Sequence, residues 1–132
     1  MDMKGFGERF GLRFDHVGCA VNDLERISEF YAGLGYSLGE IADYPEMRQR
    51  MRTIEKDGFR LELLSPYGGT RAGLQHTAYM CSDIEGACRE AGEAGCRIVV
   101  PVTRHNSRRF AFIQDPDGIY VEFMQDDEGG RE

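Results

Sequence analysis

Two histidines and two glutamates in this chain repeat at one spacing. His16 and His76 lie 60 positions apart, and so do Glu62 and Glu122. Two imidazoles and two carboxylates form a donor set for one divalent cation, with zinc, nickel, cobalt or manganese as candidates. Either residue type alone is ordinary on a strand. The return of both at a single spacing is what points to a site.

The same spacing runs through the surrounding elements. The stretch from Phe14 to Glu25, "FDHVGCAVNDLE", answers that from Leu74 to Glu85, "LQHTAYMCSDIE". Asp23, Glu25, Gly35 and Asp57-Gly58 recur as Asp83, Glu85, Gly95 and Asp117-Gly118. Apolar positions at Leu24, Ile27, Tyr31 and Leu34, and again at Ile84, Ala87, Ala91 and Ala94, mark one helical face in each copy. Asn22 and Ser82 are read as N-caps, each with a glutamate three residues later. Gly35 and Gly95 suit the position just past each helix end.

Strands are expected around each helix, with Asp-Gly turns before the last one. Each copy therefore reads β-α-β-β-β. The expected fold is α+β, two βαβββ modules forming a curved mixed sheet around a metal cleft. The divisions are a flexible leader at 1–12, modules at 13–65 and 74–125, a linker at 66–73 and an acidic tail at 126–132. Side chains alternate along a strand. With Leu61, Leu63, Val121 and Phe123 turned to the helices, Glu62 and Glu122 must face away from them, and so must His16.

Composition narrows the function class. The chain has 132 residues, 41% hydrophobic and 30% charged, with a formal net charge of −7. One domain, or two halves sharing a core, fits that length. The negative charge speaks against nucleic acid and anionic membrane as partners. No apolar run approaches the ~20 residues that span a bilayer, and the first residues do not read as a secretory signal. A cytoplasmic setting is expected. Cys19, Cys81, Cys88 and Cys96 form no C-x-x-C pair and read as reduced thiols.

These features resemble the vicinal oxygen chelate superfamily, also called the glyoxalase/bleomycin-resistance/dioxygenase fold. The resemblance rests on "DHVGCAVNDLERISEFYAGLGY", "LELLSP", "LQHTAYMCSDIEGA" and "FAFIQDPDGIYVEF". It implies His16, Glu62, His76 and Glu122 as ligands of one divalent ion. Within the family, His16-Val17-Gly18-Cys19-Ala20-Val21, Glu62 with Pro66, and Gly73-Leu74-Gln75-His76 are closest to the methylmalonyl-CoA epimerase branch. Glyoxalase I is next; Ala20 and Pro66 stand where that branch has arginine and asparagine. The implied activity is an isomerase or epimerase that takes a proton beside a carbonyl or acyl thioester, including acyl-CoA. A glyoxalase I-like lyase and a drug-binding resistance protein are the alternatives, and a homodimer is expected.

Glu122 would be the base, and Glu46 a second acid/base at the start of a strand, with Tyr44 or Asp43 as alternatives for that place. Arg48, Arg50 and Arg52 alternate along that strand, and Arg104, His105, Arg108 and Arg109 cluster before the last hairpin. Arg48, Arg50 and Arg109 are the candidates to meet an anionic substrate.

Overall fold

An aspartate begins each long helix. Asp23 and Asp83 are the N-caps, and their carboxylates accept from the backbone N–H of Arg26 and Gly86 at 3.1 and 3.0 Å. They displace Asn22 and Ser82 from that role by one position. At the other ends, Gly35 and Gly95 take positive φ of 104° and 101°. The N–H groups of Tyr36 and Cys96 then donate back to the carbonyls of Tyr31 and Ala91, closing each helix.

A computed structural model describes residues 2–65 and 72–127. The elements are α1 (Phe6–Arg9), β1 (Arg13–Ala20), α2 (Leu24–Gly33), β2 (Ser37–Tyr44), β3 (Gln49–Lys56), β4 (Phe59–Ser65), β5 (Gly73–Met80), α3 (Ile84–Glu93), β6 (Ile98–His105), β7 (Arg108–Gln114) and β8 (Tyr120–Asp126). A one-turn 3-10 helix, Pro45–Met47, separates β2 from β3. The fold is α+β, with two β-α-β-β-β runs. Most of the expected linker, residues 66–71, lies outside the described residues, as do 128–132 of the expected tail. Asp126 of that tail is the last residue of β8.

The chain divides into two compact units. One is His16–Gln75. The other joins the residues up to Asp15 to those from His76 onward, so the division falls within β1 and β5. The first has the strand order β2-β3-β4-β1, the second β5-β8-β7-β6. Each sheet is mixed. β1 runs parallel to β4 and β5 parallel to β8, and the other pairs are antiparallel.

Each sheet buries one face beneath its helix. In His16–Gln75, Leu24 of α2 packs with Ile54, Leu61 and Leu63, bordered by Val17, Cys19, Ile27 and Tyr31. In the other unit, Ile84, Ala87 and Ala91 of α3 pack with Ala111, Ile113 and Phe123. Leu34 departs from the expected helix face. It is the C-cap of α2, where the helix has ended, and its side chain is exposed.

The leader is the main correction to the expected divisions. It forms α1, and Phe6 enters the core with only 4% of its surface exposed. Its ring lies 5.8 Å from that of Phe123 and 4.8 Å from that of Phe10. Arg9 pairs with Glu90 of α3, and the Phe10 carbonyl accepts from the N–H of Ser82. α3 carries alanines where α2 carries Ile27 and Tyr31, and Phe6 and Phe10 pack into the same cluster as those alanines.

Candidate metal centre and active site

The parallel strand pairs set the spacing of each histidine and glutamate. On β1 and β4, Gly18 is the register partner of Glu62, and His16 stands two residues before Gly18. On β5 and β8, Ala78 is the partner of Glu122, and His76 stands two residues before Ala78. A two-residue step returns a side chain to the same face. Each histidine is thus a diagonal neighbour of its glutamate.

The two pairs have closely similar geometry. His16 Nε2 lies 3.7 Å from Glu62 Oε2, with 6% and 19% of the side chains exposed. His76 Nε2 lies 3.5 Å from Glu122 Oε1, with 2% and 13% exposed. Direct hydrogen bonds are shorter, at roughly 2.7–3.2 Å. Two donors of one tetrahedral ion with bonds of about 2.1 Å stand about 3.4 Å apart. Both pairs therefore fit ligand spacing, and the donor chemistry suits a borderline divalent metal.

The other candidates divide by strand face. In antiparallel pairing, residues opposite one another share a face. Arg50, Arg52 and Ile54 lie opposite Ser65, Leu63 and Leu61, so both arginines belong to the helix face. Arg50 Nη2 donates to Glu25 Oε2 of α2 at 2.6 Å, and Arg52 Nε donates to the Gly39 carbonyl at 2.8 Å. The Arg50 guanidinium holds the Glu25 carboxyl below its usual range. Arg109 repeats the arrangement. It lies opposite Gln125, on the face of Ala111 and Ile113, and its Nη1 is 3.4 Å from Glu85 Oε2 of α3. Expected to meet substrate, Arg50 and Arg109 instead point away from the Glu62 and Glu122 faces and tie each sheet to its helix.

Arg48 and Glu46 also differ from expectation. β3 begins at Gln49, so Arg48 does not alternate with Arg50 along the strand. It caps the 3-10 turn in the left-handed region, with φ 52°, and is exposed. Glu46 does not begin a strand; it is exposed within that turn, which Pro45 opens. Asp43 lies opposite Arg50 on the helix face, and Tyr44 lies opposite Gln49 on the Glu62 face.

Sequence reasoning named Arg108 within a basic cluster but passed over the other residues beside the carboxylates. Thr53 lies opposite Glu62, and Phe112 opposite Glu122. The Phe112 ring is edge-on to His76 at 5.5 Å and also meets Phe110 and Tyr120. Arg108, two residues before Phe110, shares this face and donates to Asp126 through Nε at 2.6 Å. Their signal was the odd-even alternation of "RRFAFIQ", Arg108 to Gln114, once Ala111 is assigned to the core. His105 lies opposite Arg108, and Arg104 lies opposite Arg109 and pairs with Asp127. The thiols are not candidates for nucleophilic chemistry: burial pushes Cys81 and Cys88 up to about 11.

Comparison with known proteins agrees with this architecture. The chain is 31% identical over 129 residues to a lactoylglutathione lyase of Neisseria meningitidis, covering 89% of this chain and 94% of that one. A solved hypothetical protein from Bacillus halodurans matches with a TM-score of 0.75 at 25% identity, over 89% of this chain and 96% of the other. The methylmalonyl-CoA epimerase of Mycobacterium tuberculosis shares the fold, with a TM-score of 0.73 at 24% identity over 89% and 90% of the chains. The Glyoxalase/Bleomycin resistance protein/Dioxygenase superfamily profile matches residues 13–123, and the chain belongs to that superfamily.

Proposed function

We propose that this chain is a divalent-metal-dependent isomerase or epimerase that moves a proton on the carbon beside a carbonyl or acyl thioester. The observation that carries the reading is the doubled, mostly buried His–Glu pair at ligand spacing. In this reading His16 with Glu62, and His76 with Glu122, are the metal donors. The bound ion would supply Lewis-acid polarisation of the substrate oxygen, acidifying the neighbouring C–H. Zinc, nickel, cobalt and manganese all suit the donor set.

Glu122 takes the proton at a carboxylate oxygen and returns it. With 13% of its side chain exposed, the carboxylate is shielded from bulk water but can still exchange a bound proton with solvent between turnovers. A carboxylate of ordinary pKa, near 4, is a weak base for carbon. Positioning against the acidified C–H is therefore what Glu122 contributes.

A lyase that rearranges a glutathione hemithioacetal is the second reading. The relatives named lactoylglutathione lyase, at 31% identity across 89% of this chain, favour it. The chain carries Ala20 and Pro66 where an arginine and an asparagine for glutathione are expected, which favours the epimerase-like reading.

Elemental analysis of protein never exposed to chelator is expected to give about one divalent ion per chain. Deuterium from solvent is then expected to enter the carbon beside the carbonyl of an acyl thioester. Protein that neither contains nor takes up an ion would refute the enzyme reading. Turnover of the methylglyoxal–glutathione adduct without thioester exchange would decide for the lyase.

A further inference from the structure

The two copies repeat one face of their sheets and diverge on the other. On the helix faces, the Arg50–Glu25 pair, 25 residues apart, returns as Arg109–Glu85, 24 apart. That one-residue difference aligns Gln49, Met51 and Thr53 of β3 with Arg108, Phe110 and Phe112 of β7. Thr53 and Phe112 each lie opposite their copy's glutamate, consistent with that alignment. Thus the arginines that brace helix to sheet recur, whereas the strand beside the carboxylate changes from uncharged and non-aromatic to aromatic and cationic.

The β7 face is graded along its length. Phe112 stands opposite Glu122, Phe110 opposite Met124 and Arg108 opposite Asp126. Four residues of strand separate Phe112 from Arg108, roughly 13 Å. Arg108 remains 44% exposed. Asp126 occupies its Nε and Nη2, while Nη1 lies 3.5 Å from the Met124 sulfur, a weak acceptor. One edge of the guanidinium is therefore still available to a stronger acceptor.

We infer that this face is a substrate subsite: Phe112 and Phe110 receive the apolar body of the carbonyl substrate, and Arg108 receives a carboxylate at its far end. The inference rests on the reading of Glu122 as the proton-transferring residue. The geometry requires an elongated substrate, with its reacting carbon at Glu122 and its charge about 13 Å along the strand. Asp126, Asp15 and Glu122 all act electrostatically on Arg108. This negative field weakens the binding of any anion at Arg108 and opposes a dianionic phosphate more than a monoanionic carboxylate.

Calorimetric titration of the full-length chain with 3-phenylpropionate and its neutral amide tests the assignment. The acid is expected to bind at least about tenfold more tightly, the scale of a charge-assisted hydrogen bond. Arg108→Gln should remove that preference without changing metal content, and Arg108→Lys should retain part of it. Phe112→Thr should weaken acid and amide alike. Equal binding of acid and amide to the unmodified chain would overturn the inference, whatever the variants' stability. A preference that survives in Arg108→Gln would also overturn it, and tighter binding of benzylphosphonate would overturn the carboxylate assignment. Loss of thioester exchange with the acid preference intact would count against the proposed reaction and leave the subsite standing.

Discussion

In the role proposed for it Glu122 would face two demands, since a ligand must hold its electron pair toward an ion and a base must offer one to a proton. Replacing it by glutamine keeps the shape and an oxygen donor but removes the basic carboxylate. Turnover of Glu122→Gln is expected to fall about 10²-fold or more, with much of the metal retained. His16→Ala should lose metal and activity together, because the proposal gives the imidazole no role except as a metal donor. Normal proton exchange by Glu122→Gln would move the base elsewhere, with Glu46 the first residue to test. The thiols give a pH prediction. Their pKa is raised on folding, so the stability they contribute is complete below pH 9 and lost as pH rises toward 11. At pH 8, Cys81 and Cys88 in the folded chain should hold about a hundredfold less thiolate than when unfolded, and alkylation rates with and without denaturant measure this.

At the scale of the strand, one residue of parity separates a brace from a binding group. Arg108 and Arg109 are adjacent on β7, yet one lies opposite Asp126 and the other shares the core face with Ala111. Arg109→Gln should lower the melting temperature and leave KM within about twofold of the parent. Arg108→Gln should raise KM about tenfold for a carboxylate-bearing substrate, with the melting temperature little changed. Kinetics and melting curves on the two variants separate these outcomes. A KM increase in both would place Arg109 at the substrate and undo the face assignment. The positions were visible in the sequence, but their faces depend on where β3 and β7 begin, and a one-residue difference between the copies hides that register.

For the molecule as a whole, the N-terminal segment belongs with residues far along the chain. Phe6 and Phe10 pack with α3 residues that begin at Ile84, more than 70 positions away. Phe6→Ala is expected to cost about 3–5 kcal/mol, the usual range for deleting a buried aromatic ring. A denaturant titration would show an earlier midpoint, whereas an unchanged midpoint would mean that the segment behaves as the leader the sequence suggested. Among the described residues no helix is long and apolar enough to cross a membrane.

The sequence alone determined the repeat, the two helices and the faces of the four ligand candidates. These follow from period and spacing: a 3.6-residue apolar stripe marks a helix, and alternation fixes which side of a strand Glu62 and Glu122 occupy. The helix ends were read to within one residue, because Asn22-Asp23 and Ser82-Asp83 each offer two capping side chains and only backbone direction chooses between them. Tertiary structure decided the fate of the arginines and of the leader. An arginine looks the same in sequence whether it meets a substrate or a helix carboxylate, and only the register of β3 and β7 assigned Arg50 and Arg109 to Glu25 and Glu85. Phe6 likewise shows no periodicity of its own in a four-residue helix; its burial comes from the core that α3 and β8 supply.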